Sequence, residues 1–291
     1  MLNVTTKTTS EMTEEIFNEE NETEQTVLEP ITEEPEIQPK LSEKLYLPAD
    51  YAALRFPLNE YTDVLQIRDL KATVGYGNPA EHTNVLIFLT ATHATTYLMF
   101  SRLAAYTEHI RYHGDIQAVF EHIAPTRRVY NANDFSIDSL ARFYTDVLAF
   151  HLEDQLTAEE RMLFSIVYDE GWINDAIQPT GIYAVIQVSM ENPLPSRRSL
   201  LSHEWVHAIF FVFPDIKDET VKLYRSYTAE HGTGQFFNFL GAMRLSYNTS
   251  DELLMANEFA AYLLQEYAEL RQLIADAPFI TRMRDLYKNY L

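Results

Sequence analysis

Two histidines and one glutamate near residue 200 have the types and the spacing of a metal-dependent hydrolytic site. They are His203, Glu204 and His207, within the stretch SHEWVHA at 202–208. On a helix, residues four apart share a face, so both imidazoles can reach one metal ion. Glu204 lies beside this pair, where its carboxylate can take a proton from a water molecule at the metal. Two imidazoles at this spacing are half of a zinc site, and the glutamate is its expected general base.

A helix from Arg197 to Val212 must position these residues. Ser196 precedes this helix and is a good N-cap. The helix is predicted to end at Phe213, because Pro214 disfavours helical geometry in the residue before it. Apolar residues occur on several of its sides, which is typical of a buried central helix. The alternative interpretation is an ordinary amphipathic helix whose two histidines bind no metal.

A catalytic zinc site needs a third protein ligand, and Glu258 is the preferred candidate. A helix is predicted over 251–275, entered through a capping box of Thr249 and Glu252. Glu258 lies at the margin of the apolar stripe of this helix, where a carboxylate needs a partner. Glu252 is the alternative ligand, although capping already explains its place in the first helical turn.

These motifs resemble those of the gluzincin branch of the zincin metallopeptidases. The resemblance is carried by HEWVH at 203–207 and NEFA at 257–260, and it extends over roughly residues 181–265. The second stretch is similar to patterns in thermolysin and in the zinc aminopeptidases. The resemblance implies one zinc ion (Zn2+) held by His203, His207 and Glu258, with Glu204 as the base. It also implies an endopeptidase that acts on proteins or peptides.

The chain departs from these families in three ways. Fifty residues separate His207 from Glu258, which is longer than in thermolysin and closer to the CAAX proteases and their small soluble relatives. Thermolysin has a histidine-orienting aspartate four residues after its glutamate, whereas this chain has Tyr262. The amine anchor of the aminopeptidases and the third histidine of the metzincins are both absent. Exopeptidase activity is therefore not expected.

A hydrogen-bond donor is also needed for the oxyanion of a tetrahedral intermediate. His231, predicted in a glycine-containing loop between the two ligand helices, is one candidate. Tyr227 and Tyr262 are the others. Ordinary loop or core packing is the alternative interpretation for all three residues.

The composition limits the classes of partner and of metal ligand. The chain of 291 residues has 22 Lys and Arg against 43 Asp and Glu, a net charge of -21. An acidic surface repels phosphate backbones, so nucleic acid is not an expected partner. The chain has no cysteine, so a zinc site must use histidine and carboxylate ligands.

The first 44 residues are predicted to be a disordered acidic tail, since they are rich in Glu and Thr and poor in apolar residues. Residues 45–291 are predicted to form the zincin-like domain, with a sheet-containing part at 45–213 and a helical part at 214–291. No signal peptide is recognised. The default expectation is a cytoplasmic protein, while an exported form with a removed leader stays open. The sequence does not predict an oligomeric state.

The front half of the domain is predicted to mix short strands with helices. Strands are expected at 64–67 and 71–74, and 85–90 is either a strand or the start of a helix. Helices are expected at 92–111, 115–123, 136–152 and 158–164, the last entered through a capping box of Thr157 and Glu160. The apolar run at 85–106 contains His93 and Arg102 and is too short in its continuous part to span a membrane.

The other histidines are given no functional role. His109 and His113 are also four residues apart, but without a glutamate, and a solvent-facing helix end is expected there. Four more histidines are isolated in the sequence: His82, His93, His122 and His151.

The clearest strand is at 181–190, just before the motif helix. It is either a sheet edge that pairs with an extended peptide or an interior strand. The predicted fold class is α+β, predominantly helical, with a small mixed sheet against the motif helix and Glu258 supplied by the helical part. Besides the endopeptidase, two hypotheses stay open: an inactive zincin-like binding or surface protein, and a metal-free helical domain.

Overall fold

A computed structural model describes residues 40–47, 84–130, 132–243, 245–265 and 277–290. The strands predicted at 64–67 and 71–74, His82, most of the predicted tail and the end of the helix predicted to reach 275 lie outside the described residues. The last residues of the predicted tail are described: Leu41–Lys44 forms a 3-10 helix with Ser42 buried. The Nζ atom of Lys40 lies 2.8 Å from Oδ2 of Asp175. Lys40 and Ser42 thus contact the body of the protein.

The described residues form a predominantly helical α+β structure with one small mixed sheet, as predicted. Its strands are β1 (Val85–Thr90), β2 (Ala132–Ser136) and β3 (Ala184–Ser189). Its helices are α1 (His93–Glu108), α2 (Ile116–His122), α3 (Ile137–Ala149), α4 (Ala158–Asp169), α5 (Leu194–Val212), α6 (Pro214–His231), α7 (Gly234–Ala242), α8 (Glu252–Leu264) and α9 (Ala277–Tyr287). None of the helices in the described ranges is long and apolar enough to cross a bilayer.

The central strand of the sheet is β3, which was predicted over 181–190. It pairs in parallel with β1 and antiparallel with β2, so the sheet order is β1-β3-β2. The edge-strand interpretation of β3 is therefore wrong. All six of its residues are buried, as expected for a continuous apolar run covered on both faces. The run at 85–90 is a strand and not the start of a helix.

Strand β2 was not predicted, and it supplies a residue to the site. Its sequence ANDFS contains Asn and Asp, which are depleted in strands. Side chains alternate between the two faces of a strand. Asn133 and Phe135 accordingly contact the layer of α1 to α4, whereas Ala132 and Asp134 face α5.

Helices α2, α3 and α4 lie where helices were predicted, and the capping box of Thr157 and Glu160 is present. Helix α3 ends at Ala149, before the predicted residue 152, and α4 continues to Asp169, beyond the predicted residue 164. Helix α1 ends at Glu108, before the predicted Arg111, because His109 leaves the helix to form a bridge with Tyr247. His109 is therefore the C-cap of α1, at a helix end as predicted, whereas His113 lies in the exposed turn that follows.

Helix α5 begins at Leu194, three residues earlier than predicted, and its N-cap is Pro193 and not Ser196. Pro195 is tolerated in the first turn, because the N–H that it lacks would have no intrahelical partner there. The helix ends at Val212, as predicted. Helix α6 starts directly at Pro214 and continues to His231, so the prediction of a loop at His231 is wrong.

Helix α8 begins at Glu252 with Asp251 as its N-cap. The carboxylate of Asp251 accepts bonds from the backbone N–H groups of Leu253 and Leu254 at 2.9 and 3.1 Å. The predicted capping box of Thr249 and Glu252 is therefore wrong. Helices α5 to α9 enclose a second apolar core, and α5 also packs against the sheet.

Candidate metal centre

Helices α5 and α8 bring three predicted ligands together. His203 and His207 lie on one face of α5, with ring centroids 4.7 Å apart. Glu258 projects from α8: its Oε2 lies 3.6 Å from Nε2 of His203, and its Oε1 lies 3.8 Å from Nε2 of His207. Donor atoms bound to one tetrahedral zinc ion at ~2.0–2.2 Å are separated by roughly 3.3–3.6 Å. The observed separations are close to this range.

Several buried polar atoms of His207 and Glu258 have no hydrogen-bond partner among the residues that the structure describes. They are Nδ1 and Nε2 of His207 and Oε2 of Glu258. Exposed fractions are 6% for His203 and 1% for both His207 and Glu258. An unpartnered buried polar atom costs about 1–3 kcal/mol. The donor atoms of all three residues lie within 4.8 Å of one another, an arrangement that fits a zinc ion.

Gln265 fixes the tautomer and orientation of His203. Its Nε2 donates to the carbonyl and Oγ of Ser199 at 3.1 and 2.6 Å, which turns Oε1 towards Nδ1 of His203 at 2.9 Å. An amide oxygen only accepts, so the imidazole hydrogen lies on Nδ1 and the Nε2 lone pair faces Glu258. Burial lowers the pKa of His203 to about 4, which keeps the ring neutral.

Sequence reasoning did not identify Gln265, although a signal was present. Glu258, Tyr262 and Gln265 recur at intervals of four and three residues, the spacing of one helix face. Tyr262 occupies the position of the thermolysin aspartate, and its ring packs edge-on against His203 at 4.5 Å between centroids. Gln265, one turn further along the helix, makes the hydrogen bond to the histidine.

Glu204 is buried beside Asp134 of β2. The two carboxyl groups share a hydrogen bond. Burial raises the pKa of Glu204 well above its usual value, and the nearby Asp134 and Glu258 add to this effect. Oδ1 of Asp134 also lies 3.7 Å from Nε2 of His207.

Asp134, Glu204 and His207 form a second group of possible ligands within 4.8 Å. Both groups use His207, and its Nε2 lies 3.7 Å from Oδ1 of Asp134 and 3.8 Å from Oε1 of Glu258, so the two groups would overlap around a single ion. Glu108, at the end of α1, is a further buried carboxyl group. Its pKa is raised by burial first and then by Asp134 and Glu258. We call these six residues the site cluster: Glu108, Asp134, His203, Glu204, His207 and Glu258.

Two tyrosines not considered at the sequence level also contact this region. The hydroxyl of Tyr130 is buried without a hydrogen-bond partner, and its ring stacks on that of Tyr247 at 5.2 Å. Tyr247 donates a hydrogen bond to Glu258. Burial raises the pKa of both phenols, and neighbouring carboxyl groups add to this, so both hydroxyls keep their protons. Neither position carries a motif that the sequence alone would reveal.

A cavity of about 640 Å³ opens over His203 and Glu204. Both of these side chains are nearly buried, so they lie at its base. Its described lining is mixed polar and apolar: His93, Tyr97, Arg128, Tyr130, Ala132, Asn192, Pro195, Ser196, Ser199, Leu200, His203, Glu204, Met243, Leu245, Tyr247, Tyr262 and Gln265.

The structure does not bring the other predicted candidates to the site. Glu252 forms a bidentate ion pair with Arg225 at 2.9 and 2.5 Å on the surface, so the prediction of Glu252 as an alternative ligand is wrong. His231 packs its ring on Tyr227 at the end of α6 and is not among the described residues that line the cavity. Among the isolated histidines, His93 does line the cavity, contrary to its assignment to no role.

Comparison of the chain with protein-family models, with curated proteins and with solved structures found no significant match. Function must therefore be argued from the site itself.

Proposed function

We propose that this protein is a zinc-dependent peptidase whose zinc is held by His203, His207 and Glu258. The observation that carries the proposal is the convergence of these three buried donors next to Glu204. His203 and Glu204 line the cavity, and His207 and Glu258 have buried atoms without a hydrogen-bond partner among the described residues. A zinc ion there supplies Lewis-acid polarisation of a carbonyl group and lowers the pKa of water. Three protein ligands leave a coordination position open, as catalytic sites require.

Glu204 acts as the general base and then as the general acid. Its carboxylate takes a proton from the attacking water as the oxygen bonds to the peptide carbonyl carbon. It then passes that proton to the amine as the C–N bond breaks, which leaves one carboxylic acid and one amine as products. Burial among other carboxyl groups raises the pKa of Glu204, and this brings it closer to the pH at which a base and acid of this kind works best.

We propose that the hydroxyl of Tyr130 donates a hydrogen bond to the carbonyl oxygen of the substrate. It is protonated, lines the cavity and has no hydrogen-bond partner among the described residues. A donor without a competing partner is preorganised for charge that develops during the reaction. Tyr130 thus takes the place of His231, Tyr227 and Tyr262, the donors considered from the sequence.

The test combines metal analysis with peptide turnover by matched variants. We expect about one zinc per chain in the wild type and loss of this zinc in Glu258→Ala. Glu204→Gln should keep the zinc and lower kcat by about 10²–10⁴-fold, the usual contribution of a general base. Glu252→Gln, at the surface of the same helix, is the control and should match the wild type. Full peptidase activity in Glu204→Gln would exclude the mechanism.

One observation favours a second candidate, a zinc-containing binding protein without activity. Asp134 contacts both Glu204 and His207, so its carboxylate is placed to occupy the coordination position that a substrate needs. The presence of Tyr262 in place of a histidine-orienting aspartate would also favour this candidate. Gln265 supplies that hydrogen bond, so this reason no longer holds. Zinc at one equivalent without turnover of any peptide would favour the binding protein.

A further inference from the structure

We propose that Arg128 binds a carboxylate group of the peptide substrate, an inference that rests on the peptidase function proposed above. Arg128 lines the cavity that contains His203 and Glu204. Among the described residues that line this cavity, it is the only arginine or lysine. Its side chain is exposed, whereas His203 and Glu204 are nearly buried, so Arg128 lies on the open side of the cavity.

The chain segment before β2 limits how far the backbone of Arg128 can lie from that of Tyr130. Arg128, Tyr130 and Ala132 all line the cavity, whereas Val129 between them packs against the core beneath α1 to α4. Two residues span at most about 7 Å, so the Cα atoms of Arg128 and Tyr130 are no further apart than this. An extended substrate advances about 3.3 Å per residue. A carboxylate bound by Arg128 therefore belongs to a residue near the cleaved bond, within the part of the substrate that the cavity holds.

The charges around the cavity determine how a substrate with an acidic group is oriented in it. Glu204 lies at the base, with Asp134, Glu258 and Glu108 close to it. No lysine or arginine in the described part of the chain forms an ion pair with any of these four carboxyl groups. A substrate carboxylate is repelled from this base and attracted to the arginine at the mouth. The substrate is therefore oriented with its acidic group outward.

Guanidinium geometry makes carboxylate the specific ligand. The planar fork of arginine donates two parallel hydrogen bonds to the two oxygens of a carboxylate, which a neutral amide cannot accept in the same way. The carboxylate has two possible sources in a peptide, a Glu or Asp side chain or the free C-terminus. Both present the same chemistry to Arg128.

The experiment measures peptide binding by calorimetry to the zinc-loaded full-length Glu204→Gln protein. The probes are a blocked hexapeptide amide, the same peptide with a free C-terminal carboxylate, and the amide with one central glutamine changed to glutamate. Arg128→Gln and Arg128→Lys are introduced into the same background. Arg127→Gln is the matched control, because Arg127 is the neighbouring exposed arginine and is not among the described lining residues.

We expect at least one carboxylate peptide to bind about ten- to a hundredfold more tightly than the amide, as for a hydrogen bond to a charged group. Arg128→Gln should abolish this preference, Arg128→Lys should keep part of it, and Arg127→Gln should keep all of it. The peptide that shows the preference identifies the source of the carboxylate. Equal binding of all three peptides, or a preference that survives in Arg128→Gln, would overturn the proposal.

The outcome is distinguishable from a failure of the peptidase function. A wild-type protein that cleaves peptides without regard to their carboxylates contradicts the role of Arg128 alone. A protein that prefers carboxylate peptides through Arg128 but cleaves none contradicts the peptidase and leaves the binding site in place.

Discussion

Asn133 and Asp134 are neighbours on β2, yet their side chains enter two different buried polar environments. These environments differ in whether their polar atoms have hydrogen-bond partners among the described residues. On the α1 face, Asn133 donates to Oε1 of Gln187 at 2.7 Å, and Nε2 of Gln187 donates to Thr90 and Thr96 at 3.0 and 2.9 Å. We call these four residues the front network. On the α5 face, Asp134 joins the site cluster, where His207 and Glu258 have unpartnered atoms.

The difference separates a buried polar group whose hydrogen bonds are made within the fold from one that we propose binds a metal ion. Burial removes water from both environments, and each group then needs a partner within the protein. The front network supplies the amide of Gln187 with partners at both its nitrogen and its oxygen, so it connects β1, β2, β3 and α1. The site cluster consists of carboxyl groups and imidazoles, and it contains no lysine or arginine among the described residues. This composition is expected for a site that binds a cation.

The largest effect on stability is expected from breaking the front network with Gln187→Met. Methionine keeps the volume but leaves the amide of Asn133 without its acceptor and removes the donor to Thr90 and Thr96, whose hydroxyls keep their bond to each other. The free energy of unfolding should fall by about 2–4 kcal/mol, since each orphaned group costs about 1–3 kcal/mol. Urea unfolding measures the change, and Gln178→Met on the surface is the control. A loss below that of the control would show that the network is not structural.

A smaller effect is expected when a residue that supports the site cluster is changed. Gln265→Ala removes the hydrogen bond that orients His203. Loss of such a partner lowers metal affinity by about 10–100-fold. Competition with a zinc-binding dye measures this affinity. An unchanged affinity would mean that Tyr262 packing alone orients the ring.

Removing the carboxylate of Glu258 should raise the free energy of unfolding of the metal-free protein. A change in the front network should instead lower it. Burial raises the pKa of Glu258 from 4.5 to about 7. Ionised Glu258 is therefore a penalty in the metal-free fold, absent below pH 4.5 and complete above about pH 7. Glu258→Gln should raise the free energy of unfolding by about 3 kcal/mol at pH 8 and leave it unchanged near pH 4.

The free energy of unfolding is measured for chelator-treated wild type and Glu258→Gln at pH 4 and pH 8, which tests whether the substitution stabilises the protein. A destabilised Glu258→Gln at pH 8 would contradict it.

The smallest effect is expected at Glu252, on the surface of the helix that carries Glu258. Its ion pair with Arg225 is exposed, and such pairs contribute little. Glu252→Gln should leave zinc content and melting temperature unchanged. Zinc loss measured by atomic absorption would restore Glu252 as a ligand.

The sequence predicted the parts of the site that depend on local spacing. His203 and His207 share a face because a helix repeats every 3.6 residues, and the apolar stripe around Glu258 indicated a buried carboxylate. Asp134 could not be predicted, because ANDFS has polar residues that strands rarely contain and forms a strand only by pairing with β3. The cap of α8 was misassigned since Asp251 and Thr249 are both suitable caps and only the backbone geometry distinguishes them.

The separation of His207 and Glu258 by two intervening helices also has a kinetic consequence. The ligand set proposed for zinc is complete only when α8 packs against α5, so a zinc ion would gain its third ligand only when this long-range contact forms. An interaction that is absent from the transition state lowers the unfolding rate and leaves the refolding rate unchanged. Bound zinc would thus prolong the lifetime of the folded chain without accelerating its formation.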